Sequence, residues 1–367
     1  MNKVLIKILD SLFRLSLGLI LLWLLSRYSE INGDLLLSLL SYELILYALI
    51  LKTAVVLLMS YRWMFVLRNN KINQRLIDSI KFTLIGQSLM AILPGVIAQD
   101  ITKIIGTIRS TNSSGQRGKI ILLSILDRLI GVLALLVSSI FSILIFYLHA
   151  YITEGLIMHH EFLNWVLYIC SISLFGLIIF YLMLDRLEKI KFSQRIPSSL
   201  ISKVSVLSDY LRMTRNKFLL LNISIFSHLF NAALVAIIIN ELSTEIHVLI
   251  NIMFGLISNF GNFFPLTPGG LGITESVFIY LYTNIGYDLG LLAGLSYRTL
   301  SYVSIFILTA IIISSIYVYN SLEEYIKTRF QEVVYVGGRW SSYLGKIPRL
   351  PVRPDRYLLL NRVVRTH

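Results

Sequence analysis

The chain has 367 residues, of which 56% are hydrophobic and only 14% charged. A soluble domain carries about 25% charged residues, so this composition, spread over repeated apolar runs, excludes an ordinary soluble enzyme and indicates a polytopic membrane protein. The net charge of +13 would favour nucleic acid on a soluble protein. Here the bases cluster between apolar runs, as the positive-inside rule requires, and no nucleic-acid partner is expected.

In chain order, Lys3, Lys7 and Arg14 precede the apolar run Leu15–Leu25, read as an uncleaved first span. The connection Tyr28–Glu43 lacks Lys and Arg and is expected outside. Leu44–Leu67 forms the second span, with Lys52 inside it and Arg62-Trp63 near its end, where a base beside an aromatic reads as an interfacial anchor. Arg68, Lys71, Arg75 and Lys81 make the next connection basic and inner. Phe82–Leu93 is too short to cross comfortably and runs into Pro94-Gly95. The chain resumes past Asp100 and Lys103 as Ile101–Ile108 and returns to Arg109, Arg117 and Lys119. Basic flanks on both sides predict a hairpin that enters and leaves from the inner face.

Ile120–Leu148 is a long span with Asp127 and Arg128 near its start, and Phe162–Leu184 returns inward. The base-rich loop Asp185–Lys217 is the longest inner connection, with a surface helix expected after Pro197. Phe218–Ile239 goes outward, and Val248–Phe264 then meets a second break, Pro265-Leu266-Thr267-Pro268-Gly269-Gly270-Leu271-Gly272, before Thr274, Glu275 and the apolar Ser276–Tyr282. Its flanks lack Lys and Arg, so this hairpin enters from outside. Leu289–Tyr319 crosses inward with Arg298 near its start. The predicted fold is therefore all-α and polytopic: six full transmembrane helices plus two opposed re-entrant hairpins over residues 1–320, then a basic cytoplasmic tail over 321–367. Both termini are expected in the cytoplasm of a cell-membrane protein.

Irregular backbone at membrane depth is tolerated where it is buried in protein or lines a wet cavity, and broken helices mark substrate sites in transporters. Two opposed hairpins bring helix starts toward the midplane, where free N–H groups favour an anion, and a phospholipid phosphate is the obvious one. The glycines Gly95, Gly269, Gly270 and Gly272 would let a ligand approach closely; they would equally serve as packing kinks. Arg128 and Arg298 are costly at depth, about 2.5–3.5 kcal/mol each at a helix centre, and need a substrate or a partner among Asp100, Asp127 and Glu275. Asp100 and Glu275 also suit plain capping of their helices. Lys103 faces either the same cavity or the inner headgroups. The single cysteine, Cys170, excludes an internal disulfide. There is no P-loop, dinucleotide fingerprint or metal-ligand spacing, so neither cofactor nor metal is expected, and no catalytic residue is assigned.

Four local patterns resemble one family. They are Arg62-Trp63; Leu93-Pro94-Gly95 with Asp100 and Lys103; Asp127-Arg128-Leu129-Ile130-Gly131; and Pro268-Gly269-Gly270-Leu271-Gly272-Ile273-Thr274-Glu275 followed by Tyr297-Arg298. Together they are similar to the lysylphosphatidylglycerol synthase transmembrane region, also called the flippase-like domain family, over roughly Ser11–Tyr319. Ala98 and Gln99 stand where the family has a glycine-rich pair, and Lys103 where it commonly has Arg. Full synthases add a soluble aminoacyl-transferase domain for which this tail is too short. The resemblance therefore implies the lipid-translocating half: a membrane phospholipid or lipid-linked substrate held at Pro94, Gly95, Asp100, Lys103, Asp127, Arg128, Pro268, Gly269, Gly270, Gly272, Thr274, Glu275 and Arg298. The alternative it leaves open is a membrane subunit whose synthase or glycosyltransferase partner is a separate chain. A homo-oligomer is compatible with either.

Overall fold

The structure is a computed structural model. It describes residues 41–91, 97–111, 114–154, 161–184, 216–263, 267, 269–315 and 317, with positions 16, 20, 23 and 24. Most of the expected first span, most of the Tyr28–Glu43 connection, all but the last two residues of the Asp185–Lys217 loop and the 321–367 tail lie outside the described residues, as do Pro94, Gly95 and Pro268. The chain divides into two compact units, Met1–Ile312 and Ile313–His367. The second contributes only a few described residues, all helical.

Every regular element among the described residues is helical. The α-helices are α1 (Tyr42–Asn69), α2 (Leu76–Met90), α3 (Ile97–Ser110), α4 (Arg117–Glu154), α5 (Glu161–Leu184), α6 (Lys217–Leu242), α7 (Val248–Ser258), α8 (Ile273–Thr283) and α9 (Gly290–Ser315). Four stretches are long and apolar enough to cross a bilayer: Tyr42–Asn69, Arg117–His149, Lys217–Leu242 and Gly290–Ser315. These match the expected second, third, fifth and sixth spans. The fourth expected span falls on α5, whose described apolar stretch is the shorter Asn164–Gly176. With 15, 14, 11 and 11 residues, α2, α3, α7 and α8 fall short of the ~20 residues a helical span needs.

The long helices are lipid-compatible on their outer faces. Leu46, Ile50, Leu57 and Tyr61 of α1 are exposed, as are Ile121, Ile125, Phe141 and Leu148 of α4 and Phe306, Ile307 and Ile311 of α9. Large apolar patches of this kind mark a membrane or partner surface.

Inside, three of the long helices, α1, α4 and α6, share two apolar clusters. Trp63, Val66 and Leu67 of α1, Ile120, Leu123 and Leu126 of α4 and Leu220 of α6 share one apolar cluster. Leu44 and Ala48 of α1, Ile143 and Phe146 of α4 and Leu234, Val235, Ile238 and Ile239 of α6 share another, joined by Met253, Phe278, Tyr282 and Leu300. So α1 runs opposite to α4 and α6. The helix ends beside the first cluster carry Arg68, Lys71, Arg75, Arg109, Arg117, Lys119 and Lys217. Those beside the second carry Glu43, Glu241, Glu245 and Asp288, with no Lys or Arg among the described residues there. Between the two clusters the same helices turn polar.

Two short-helix pairs close on this polar zone. In the first, α2 lies along α3, which also meets α4; in the second, α7 leads through a 3-10 turn (Asn259–Phe263) to α8. The turn before α8 depends on glycine. Gly269, Gly270 and Gly272 have φ of 54°, 72° and 82°, a region costly for side chains with a Cβ. A Cβ on Gly270 would also stand 2.6 Å from the Gly261 carbonyl oxygen. Gly270→Ala is therefore expected to destabilise the protein by about 1–3 kcal/mol from backbone strain, with the clash adding to it. A melting curve in detergent checks this, and an unchanged midpoint would show that the turn is not held in this form.

Candidate functional site

Lys52 and Asp127 each lie ten residues into their helix, about 15 Å from its start at ~1.5 Å per residue. Such buried charges are expensive without partners, and the fold supplies them from distant parts of the chain. Arg62 Nε and Nη2 donate to Asp127 Oδ1 at 2.7 Å and Oδ2 at 3.1 Å. Arg62 Nη1 donates to Ser224 Oγ at 2.8 Å, and Lys103 Nζ reaches Asp127 Oδ2 at 3.2 Å. One carboxylate thus ties α1, α3 and α4 together.

This corrects the reading of Arg62 as an interfacial anchor. The side chain is buried, and Trp63 beside it is buried too, with its indole N–H on Thr107 Oγ1 at 3.2 Å. Gly131 follows from the same contact. A Cβ there would meet Arg62 Nη1 at 3.2 Å, so the bare backbone makes room for the guanidinium against α4. The Gly131 carbonyl accepts from His228 Nε2 at 3.0 Å; because a carbonyl only accepts, that ring nitrogen carries the proton.

A second network holds the glycine-rich turn. Glu275 is 0% exposed and Arg298 9%. Arg298 Nε and Nη2 donate to Glu275 Oε1 at 2.5 Å and Oε2 at 3.2 Å. Arg298 Nη1 donates to the Gly269 carbonyl at 2.8 Å and to the Tyr302 hydroxyl at 3.1 Å. Glu275 in turn accepts from Gly272 N–H at 2.7 Å, filling the start of α8 with the chain's own carboxylate. The capping and ion-pair readings of Glu275 are therefore both realised, and the helix start has an anion already. Thr274 is buried, with its hydroxyl 3.4 Å from Asn262 Oδ1. A third pair, Arg128 Nη2 with Asp100 Oδ2 at 2.8 Å, is partly open, with 37% and 23% of the two side chains exposed.

These groups surround a cavity of about 200 Å³, more than ten times the ~10–15 Å³ that admits one water. Of the expected site residues, Asp100, Lys103, Asp127, Arg128, Gly269 and Arg298 line it. Glu275 adjoins it through Arg298, and Gly270, Gly272 and Thr274 build the turn behind. Lining residues not expected to belong include Arg62, Gln99, Asn231, Asn259 and Tyr297, and Lys52, a weaker candidate from its depth in an apolar run, lines it as well. The signal for Lys52 was present, since a lysine inside an apolar run is costly in itself. Asn231 and Asn259 carry no charge to betray them.

Lys52, Arg62, Lys103, Arg128 and Arg298 stand against Asp100, Asp127 and Glu275, so the site has five formal positive charges and three negative. Among the described residues, Arg128 Nε, Gln99 Nε2 and Asn259 Nδ2 have no protein acceptor. A confined, positive, donor-rich space inside an apolar bundle suits an anion with several acceptor oxygens. No group of three or more His, Cys, Asp or Glu among the described residues is placed to hold a metal ion.

The fold and the cavity together define a multi-pass helical membrane protein with a buried, positively charged site. Residues 11–309 match the family described as the lysylphosphatidylglycerol synthase TM region, and the chain belongs to that family. No curated protein and no solved structure matches the chain.

Proposed function

We propose that this protein moves a phospholipid, or a lipid-linked headgroup, between the leaflets of the cell membrane, the headgroup passing through the polar cavity while the acyl chains stay in lipid. The surplus of positive charge in the cavity, with donors left free, carries this reading: it suits a phosphate that would otherwise cross about 30 Å of hydrocarbon unsatisfied. On this account six full spans surround two re-entrant hairpins, α2–α3 and α7–α8, which enter from opposite faces. The base-rich helix ends lie in the cytoplasm with both termini. The protein acts as a translocator and not as an enzyme.

The test is leaflet exchange of fluorescent phospholipids in proteoliposomes. Wild type is expected to equilibrate label between leaflets. Met59→Trp, which fills the cavity without touching an ion pair, is expected to slow exchange while the protein stays folded. Wild type no faster than empty vesicles, with anionic, zwitterionic, aminoacylated and glycosylated lipids alike, would sink the proposal. The family's name favours one second reading, a membrane subunit that presents lipid to a separate synthase or glycosyltransferase chain. Expression of this chain alone would then leave cellular lipids unmodified, and co-expression with the partner would not.

A further inference from the structure

The cations of the cavity are not equivalent. Arg62 and Lys103 share Asp127, Arg128 has Asp100, and Arg298 has Glu275. An anion arriving beside any of these meets a carboxylate already in place. Lys52 differs. It is 6% exposed, and its neighbours are neutral: Nζ donates to Asn231 Oδ1 at 2.7 Å, lies 3.4 Å from the Tyr297 hydroxyl and sits 4.7 Å from the centre of the Tyr297 ring. An ammonium carries three hydrogens, so at least one is left. The Tyr297 hydroxyl also reaches Asn259 Oδ1 at 3.4 Å, and Asn259, only 7% exposed, has an Nδ2 with no protein acceptor. Both Lys52 and Asn259 line the cavity.

We infer that Lys52, with Asn259 linked to it through the Tyr297 hydroxyl, is the seat of a phosphate-type oxyanion. A lysine binds phosphate as a point charge, and the amide hydrogens supply directed bonds to a second oxygen. Four elements meet here: α1 brings Lys52, α6 Asn231, the 3-10 turn Asn259 and α9 Tyr297. A bound anion would therefore fasten the second hairpin to the long helices. The phosphate of a lipid headgroup and a free phosphate share this chemistry. The inference borrows only its biological ligand from the translocation reading, and the site itself is tested by binding alone.

The experiment uses the full chain in phosphate-free maltoside detergent. Binding of phosphatidylglycerol, diacylglycerol, glycerol phosphate and inorganic phosphate is measured for wild type, Lys52→Met, Lys52→Arg and Asn259→Ala. Phosphatidylglycerol is expected to bind wild type and to weaken about tenfold or more in Lys52→Met, the loss of one charge-assisted hydrogen bond. Lys52→Arg should retain most of the affinity, and diacylglycerol should be indifferent to all three changes. Competition by inorganic phosphate that depends on Lys52 assigns the seat to the free anion as well; competition by lipid alone assigns it to the headgroup. A folded Lys52→Met that binds phosphatidylglycerol as wild type does overturns the inference. Should Lys52→Met fail to fold, Asn259→Ala decides: several-fold weaker binding supports the seat, and unchanged binding overturns it. Lys52-dependent binding without leaflet exchange would leave the seat standing and remove translocation. Leaflet exchange in a folded Lys52→Met that also binds phosphatidylglycerol as wild type does would remove the seat and leave translocation.

Discussion

Asp127→Ala is expected to be the most damaging single substitution in the bundle. The Asp127 carboxylate is the only one among the described residues that contacts Arg62 and Lys103, and all three side chains are at most 5% exposed. Removing it leaves two buried cations facing each other, so the loss should be at least the ~3–5 kcal/mol typical of breaking a buried pair. Reversible unfolding in detergent checks this. Lys103→Met, which leaves the Arg62–Asp127 pair intact, should lose clearly less. Adding Lys103→Met to Asp127→Asn should recover part of the loss, because one of the stranded charges goes with it. Equal effects of Asp127→Ala and Lys103→Met would mean that the charges do not act as a unit.

Arg298→Ala is expected to destabilise by about 3–5 kcal/mol through a different mechanism. It leaves Glu275, the most deeply buried acid among the described residues, without its cation, and it removes the hydrogen bond that fixes the Gly269 carbonyl. Pairing it with Glu275→Gln should restore part of the stability. The amide oxygen still accepts from Gly272 N–H, and no bare charge remains buried. A melting midpoint for Arg298→Ala close to wild type would show that the guanidinium does not hold the glycine turn. The two substitutions act in separate networks with no shared partner, so their effects should add.

The long helices were legible because apolar length and the placement of Lys and Arg are local properties of the sequence. The turn at Gly269-Gly270 was legible because glycine acts on the backbone where it stands. The pairing of charges was less so. Asp127 sits next to Arg128 in sequence, yet neighbours on a helix point about 100° apart at 3.6 residues per turn. Arg128 turns to Asp100, while Asp127 takes Arg62, 65 residues away. Arg62 beside Trp63 carried the local signature of an interface, and only the crossing of α1 and α4 overrides it. Lys52 is the extreme case, since the groups it touches are 179 and 245 residues distant and uncharged. Glu275 and Arg298, by contrast, were readable as partners, both being costly to bury and only 23 residues apart.

The central claim is that a lipid headgroup enters the cavity between the two helix pairs. Crosslinking with a phospholipid that carries a photoreactive group on its headgroup, in vesicles, followed by peptide mapping, tests it most directly. The account predicts adducts at cavity-lining positions such as Met59, Met90 and Tyr302, reduced in Lys52→Met. Adducts confined to helix-end residues and to outward-facing side chains such as Leu57, Ile125 and Phe306, with none at the cavity wall, would contradict it.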